Sequence, residues 1–141
     1  MVLIARSVAL SLQNWGLIME LNEFINKWSL SGDRELFFRA YIEAVYFTDT
    51  GDNDQPDRYA ELTYDFLRQS AGECNRFHAA YLELIGPHTV KAGHDFWLTR
   101  NGHGAGFWDR PEVYGQAVAD ELTRACEFIG ESDSDWVEPC A

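Results

Sequence analysis

Between Asp33 and Thr48, Leu36, Phe37, Ala40, Tyr41, Ala44 and Val45 recur at intervals of three and four. The pattern then stops at DTGDNDQPD, residues 49–57. The spacing specifies a helix with one apolar stripe, and Asp33 suits its N-terminus. Gly51, Asn53, Pro56 and four aspartates make the segment that follows a loop by every local signal. A helix that must bury one stripe and then turn at a fixed point leaves few arrangements for the rest.

The rest reads as further helices and one hairpin. MELNEFINKW, residues 19–28, suits a short helix. Pro56 suits the first turn of another, running from about residue 57 toward the low 70s with Tyr59, Leu62, Phe66 and Leu67 facing inward. Asn75 to Leu84 either continues it or follows a break near Gly72, with Phe77, Ala80, Tyr81 and Leu84 on its apolar face; Gly86-Pro87 ends it. HDFWLTRNGHGAGFWD, residues 94–109, places β-prone aromatics on both sides of a glycine-rich stretch, so a β-hairpin with its loop at Asn101–Gly106 is expected. A last helix is expected over 112–129, with Val118, Leu122, Ala125, Phe128 and Ile129 at helical spacing. The tail ESDSDWVEPCA offers a short strand at Trp136–Val137 or a frayed end. With no repeats and no linker, the expectation is a single domain over 1–141. Its class is α+β, mostly helical, with one β-hairpin or a small antiparallel sheet.

Hydrophobic residues make up 46% of the chain and include five Trp, nine Phe and six Tyr, enough for a real core. This excludes an acidic disordered tail. The opening MVLIARSVALSLQNWG resembles a signal peptide, but Arg6 interrupts its apolar run and no small-residue cleavage site follows. Nothing reaches the ~18 continuous apolar residues of a membrane span. Cys74, Cys126 and Cys140 are widely spaced without a CxxC pair, which suits free thiols in a reducing compartment. A cytoplasmic location, with no membrane partner, is therefore expected.

The net charge of −12 is unevenly placed. Residues 43–73 carry −6 and residues 111–141 carry −7, neither block containing a lysine, while the remainder balances to +1. Such polarity concerns association more than fold: it repels nucleic acid and attracts what binds nucleic acid. On the expected helices, Asp57, Glu61 and Asp65 fall at i, i+4 and i+8 as one stripe. Asp120, Glu127 and Glu131 follow one side of the last helix, with Glu121 beside them and Arg124 interrupting. Carboxylates four apart sit roughly 6 Å apart along a helix, whereas duplex DNA presents one charge per ~1.7 Å. One stripe is too dilute to imitate DNA; two acidic helices plus Asp49, Asp52 and Asp54 of the loop approach the required density. The plainer reading is an ordinary solvated acidic surface.

The stretch GHDFWLTRNGHGAGFWDR, Gly93 to Arg110, resembles a signature of small acidic proteins encoded by bacteriophages and related mobile elements. The helix ending YIEAVYFT before an acidic loop matches their general plan, so the resemblance spans residues 33–130. Those relatives often close with a glycine-rich strand after the last helix, where this chain has ESDSDWVEPCA. The resemblance implies a source, and it carries over no catalytic residues.

Other motifs fall to simpler readings. An EF-hand frame starting at Asp49 puts Asp54 at the glycine position and Ala60 at the twelfth; one starting at Asp52 puts Pro56 fifth and Thr63 twelfth. Neither is a calcium loop. His94, His103, Asp95 and Asp109 lack the spacing of a helical metal motif, and His94 and Asp95 suit backbone-satisfying roles where the expected hairpin begins. Asn101–Gly106 lacks the pattern of a phosphate-binding loop. Phe96, Trp97, Phe107 and Trp108, among Lys91, Arg100 and Arg110, form a candidate stacking platform for single-stranded nucleic acid, set against a core role for most of these rings. Cys74 and Cys126 read as small core residues. No catalytic constellation, cofactor or metal is expected.

The function expected from these readings is inhibition of a host defence system, anti-CRISPR or anti-restriction, by an acidic DNA-mimicking surface. The contact residues are Asp49, Asp52, Asp54, Asp57, Glu61 and Asp65, then Asp120, Glu121, Glu127 and Glu131. The partner is a basic nucleic-acid-binding host protein, a CRISPR effector or restriction subunit, with no direct DNA binding. The rival is an accessory domain whose aromatic hairpin binds single-stranded nucleic acid or a small ligand.

Overall fold

The computed structural model describes residues 21–50 and 61–137. Asp52, Asp54, Asp57, Tyr59, Cys140 and the apolar N-terminal run lie outside them. In chain order the described elements are α1 (Leu21–Lys27), α2 (Gly32–Thr50), β1 (Glu61–Leu62), α3 (Tyr64–Ala80), α4 (Leu82–Ile85) and α5 (Thr89–Arg100). A 3-10 turn (Phe107–Asp109), α6 (Pro111–Tyr114), α7 (Gln116–Ile129) and β2 (Trp136–Val137) complete them. The protein is mostly helical. Among the described residues the extended structure is one antiparallel pair, with Glu61 opposite Val137 and Leu62 opposite Trp136.

The expected hairpin is not formed. Residues 94–100 belong to α5, which lies along α2 as the principal helix pair of the fold. Thr89, Ala92, Gly93, Phe96, Trp97 and Arg100 are buried, a three-and-four spacing that makes one helical face. Local β propensity gives way to that face because propensity is a weak prior against packing. Gly93 is what lets the helices approach: a Cβ there would stand 2.4 Å from the Phe37 carbonyl oxygen of α2 and 2.8 Å from the Ala40 Cβ. After Arg100 the chain turns. The Phe107 N–H donates to Thr99 Oγ1 at 2.9 Å, folding the glycine-rich stretch back onto the helix.

The core is aromatic. Phe77 stacks on Phe96 at a centroid distance of 4.2 Å, and Phe37, Tyr41, Trp97 and Phe107 close around them. Two buried ion networks bind the helices together. Arg100, a residue only 5% exposed, donates from its side chain to Glu73 of α3 at 2.8 Å, to the Tyr41 hydroxyl of α2 at 3.1 Å and to the Gly130 carbonyl beyond α7 at 2.9 Å. Asp95, fully buried, accepts from Arg110 Nε at 2.8 Å and from the Tyr114 hydroxyl at 2.9 Å. Burial and the neighbouring carboxylate push the Tyr114 hydroxyl above its ordinary range. Each charge here has its partners, the condition under which buried ions are tolerated.

Other expectations shift in detail. The start of the helix expected from Pro56 lies outside the described residues; from Glu61 on, the chain is β1 and then α3, because Thr63 caps α3: its Oγ1 accepts from the Phe66 N–H at 3.2 Å. The chain runs through Gly72 without a break and ends α4 at Gly86, where φ is +56°. The last helix divides at Gly115 into α6 and α7. Its buried residues are Ala119, Leu122 and Cys126, whereas Phe128 is 92% exposed and Ile129 is also exposed. Cys74 and Cys126 are free and buried, and burial pushes the Cys126 thiol up to about 12. Among the described residues no helix is long and apolar enough to cross a membrane.

Candidate functional site

Two neighbouring surfaces draw on the residues that the core leaves free. The first is an acidic edge. The segment after α7 crosses to the end of α2 and then pairs with β1. Ser134 Oγ donates to Asp49 Oδ2, the Thr63 N–H donates to the Asp135 carbonyl at 2.9 Å, and Thr63 Oγ1 donates to Asp135 Oδ2 at 2.9 Å. The Trp136 ring packs on Tyr46 of α2 at 5.4 Å. The two acidic blocks, far apart in sequence, are therefore joined along one seam. A polar recess of about 280 Å3 opens there, lined by Asp49, Glu131 and Asp133 together with Asn101, His103, Ser132 and Ser134, and by the Trp97 ring. Among the described residues, no lysine or arginine lines it. Asn101 holds one wall by accepting from the Ser132 N–H at 2.9 Å.

The contact residues expected from sequence are only partly united. Asp49 and Glu131 share the recess. Asp120, Glu121 and Glu127 are exposed on α7, where Gln116 donates to Asp120 at 2.8 Å. The stripe through Asp57, Glu61 and Asp65 is not a helical one: Glu61 lies in β1 and Asp65 in the exposed first turn of α3, two elements with different periodicities. Asp133 and Asp135 join the edge without having been singled out, and nothing local in the sequence announces a contact to Asp49 from 85 residues away.

The second surface is a groove of about 600 Å3 between the end of α2, the outer face of α5 and the turn after it. Ala44, Phe47, Leu98 and Ala105 give it an apolar lining; Glu43, Thr48, His94, His103 and Arg110 supply polar groups. His94 Nε2 lies 3.3 Å from Glu43 Oε1 across its mouth. Thr48 Oγ1 accepts from the Trp97 indole N–H at 2.8 Å, so that wall is fixed from behind. His103 borders both the groove and the acidic recess. Reading 89–100 as a helix would have found this surface, because Glu43 and Phe47, like His94 and Leu98, then fall at i, i+4 on facing helices.

The stacking platform does not exist as imagined. Phe96, Trp97 and Phe107 are core, Arg100 is buried, and Trp108 alone of the four rings is exposed. Nor does the His94–Asp95 pair serve backbone groups, since His94 meets Glu43 and Asp95 holds Arg110. Among the described residues, no three His, Cys, Asp or Glu side chains are placed to hold a metal ion.

Comparison with known proteins gave no match to this chain, whether among protein-family models, curated proteins or solved structures.

Proposed function

We propose that this protein binds a basic, nucleic-acid-binding protein through the acidic edge and occupies the site that phosphates would fill. The observation that carries the reading is the junction of the two acidic blocks at Asp49, Glu131 and Asp133, in a recess whose described lining residues include no lysine or arginine. A lysine-rich channel would meet several carboxylates there at once, in place of the counterion-shedding phosphates that such channels neutralise. Phe128, almost fully exposed beside Glu127 and one turn from Arg124 and Glu131, adds a large apolar group to the same helix end. Exposed aromatics within a charged rim are typical anchors of protein interfaces. The action is non-catalytic occupancy, and the resemblance of Gly93–Arg110 to phage proteins suggests the partner class: a CRISPR effector or restriction subunit in the bacterial cytoplasm.

The test is capture from bacterial lysate on the immobilised full chain, with the retained proteins identified and then challenged with duplex DNA. The reading expects a nucleic-acid-binding complex that is lost as salt rises and displaced by DNA. Retention that DNA does not disturb, or recovery of nucleic acid itself, contradicts it.

A further inference from the structure

The stretch Gly93–Arg110 divides by what its residues do. Gly93, Asp95, Phe96, Trp97, Thr99, Arg100, Asn101 and Phe107 all close helix contacts, buried ion networks or turns. His94, His103, Gly104 and Ala105 have no part in the core and line the groove. Arg110 does both: it lines the groove, and its Nε alone engages Asp95. Its two terminal nitrogens make no hydrogen bond to the described residues, which leaves the outer fork of the guanidinium unused.

We infer that the groove is a binding site for a small molecule with an apolar body and one carboxylate, the body against Phe47 and Leu98 and the carboxylate on the outer fork of Arg110. The groove's volume, about 600 Å3, lies within the range of small-ligand sites, which are mainly apolar with a few convergent polar groups. Guanidinium recognises a carboxylate through two parallel N–H donors, and Asp95 fixes the group from its other side, so little side-chain freedom is lost on binding. Among the described residues Glu43 is the one carboxylate in the lining, and it faces His94. Charges beyond about 8 Å are screened at physiological salt, so an anion here is opposed chiefly by the acids near the groove, Glu43 in its lining and Asp49 next to Thr48. This inference is independent of the acidic edge and stands if that edge binds nothing.

The experiment is titration of the full-length, 15N-labelled protein with 3-phenylpropionate, with 3-phenylpropylamine and 3-phenylpropanol as ring-matched controls. The carboxylate is expected to shift amide signals of residues 43–48, 94–98 and 103–105 and the Arg110 Nε–H signal, at least tenfold more tightly than either control. Ala105→Phe, which adds a ring to the groove lining and leaves Arg110 unsubstituted, is expected to abolish those shifts while leaving the remaining spectrum folded. Equal binding of acid, amine and alcohol overturns the carboxylate assignment. Absence of shifts with every probe, or shifts that survive Ala105→Phe in a folded protein, overturns the site.

Discussion

His78 sits against the Phe37 ring at 5.3 Å with its Nε2 buried and without a hydrogen-bond partner among the described residues. Burial lowers its pKa below the ordinary 6.5; Asp33 opposes that shift and Arg34 adds to it. As pH falls through 6.5 the unfolded chain takes up a proton that the folded chain refuses, so stability decreases over that window and toward the lower folded value. His78→Leu removes the titrating group. Urea unfolding at pH 7.5, 6.5 and 5.5 should show the native protein losing stability relative to the variant as pH drops; parallel losses in both would show that His78 is not a source of acid sensitivity. At this scale the sequence was informative about most apolar positions, although Leu36, Ala80, Phe128 and Ile129, expected to face inward, are exposed, and it was poor on the polar ones. Phe37, Tyr41, Phe66 and Leu122 are buried as their spacing requires. The partners of Asp95 and Arg100 come from three other elements, and no local pattern encodes them.

Among the elements, α2 and α7 were legible as helices but only in part as to their faces: α2 buries Phe38 and Ile42 besides the expected stripe and leaves Leu36 exposed, and α7 buries Leu122 but exposes Phe128 and Ile129. α5 was not, although its buried positions are spaced as a helix face. Its aromatics and glycines favour strand and turn locally, and the deciding term is the close approach at Gly93, which depends on α2. The β1–β2 pair was legible on one side only: Trp136–Val137 was a candidate strand, whereas its partner was absorbed into an expected helix. Thr63 is the hinge of that pairing. One hydroxyl caps α3 by accepting from Phe66 and docks the tail by donating to Asp135. Thr63→Ala should lower stability by about 1 kcal/mol through the lost cap. It should also speed hydrogen exchange in the 61–63 and 135–137 backbone, while Thr63→Ser restores both. Faster exchange without restoration by serine would separate the tail from the cap.

For the molecule as a whole, the acidic character was plain in the sequence, but its assembly into one edge was not. Charge counts locate blocks along the chain, and only the crossing of residues 131–137 over the end of α2 brings them together. If the edge is the binding surface, the position of the carboxylates matters more than their number. The direct measurement compares two triple reversals with the same change in net charge. Glu127→Lys/Glu131→Lys/Asp133→Lys alters the edge, and Glu83→Lys/Asp109→Lys/Glu112→Lys alters exposed acids of α4, the 3-10 turn and α6. Each folded variant is assayed at one salt concentration for retention of the DNA-displaceable partner. The account predicts that the edge variant loses at least ten-fold of that binding while the other keeps it within about two-fold; equal losses, or none in either, would contradict it.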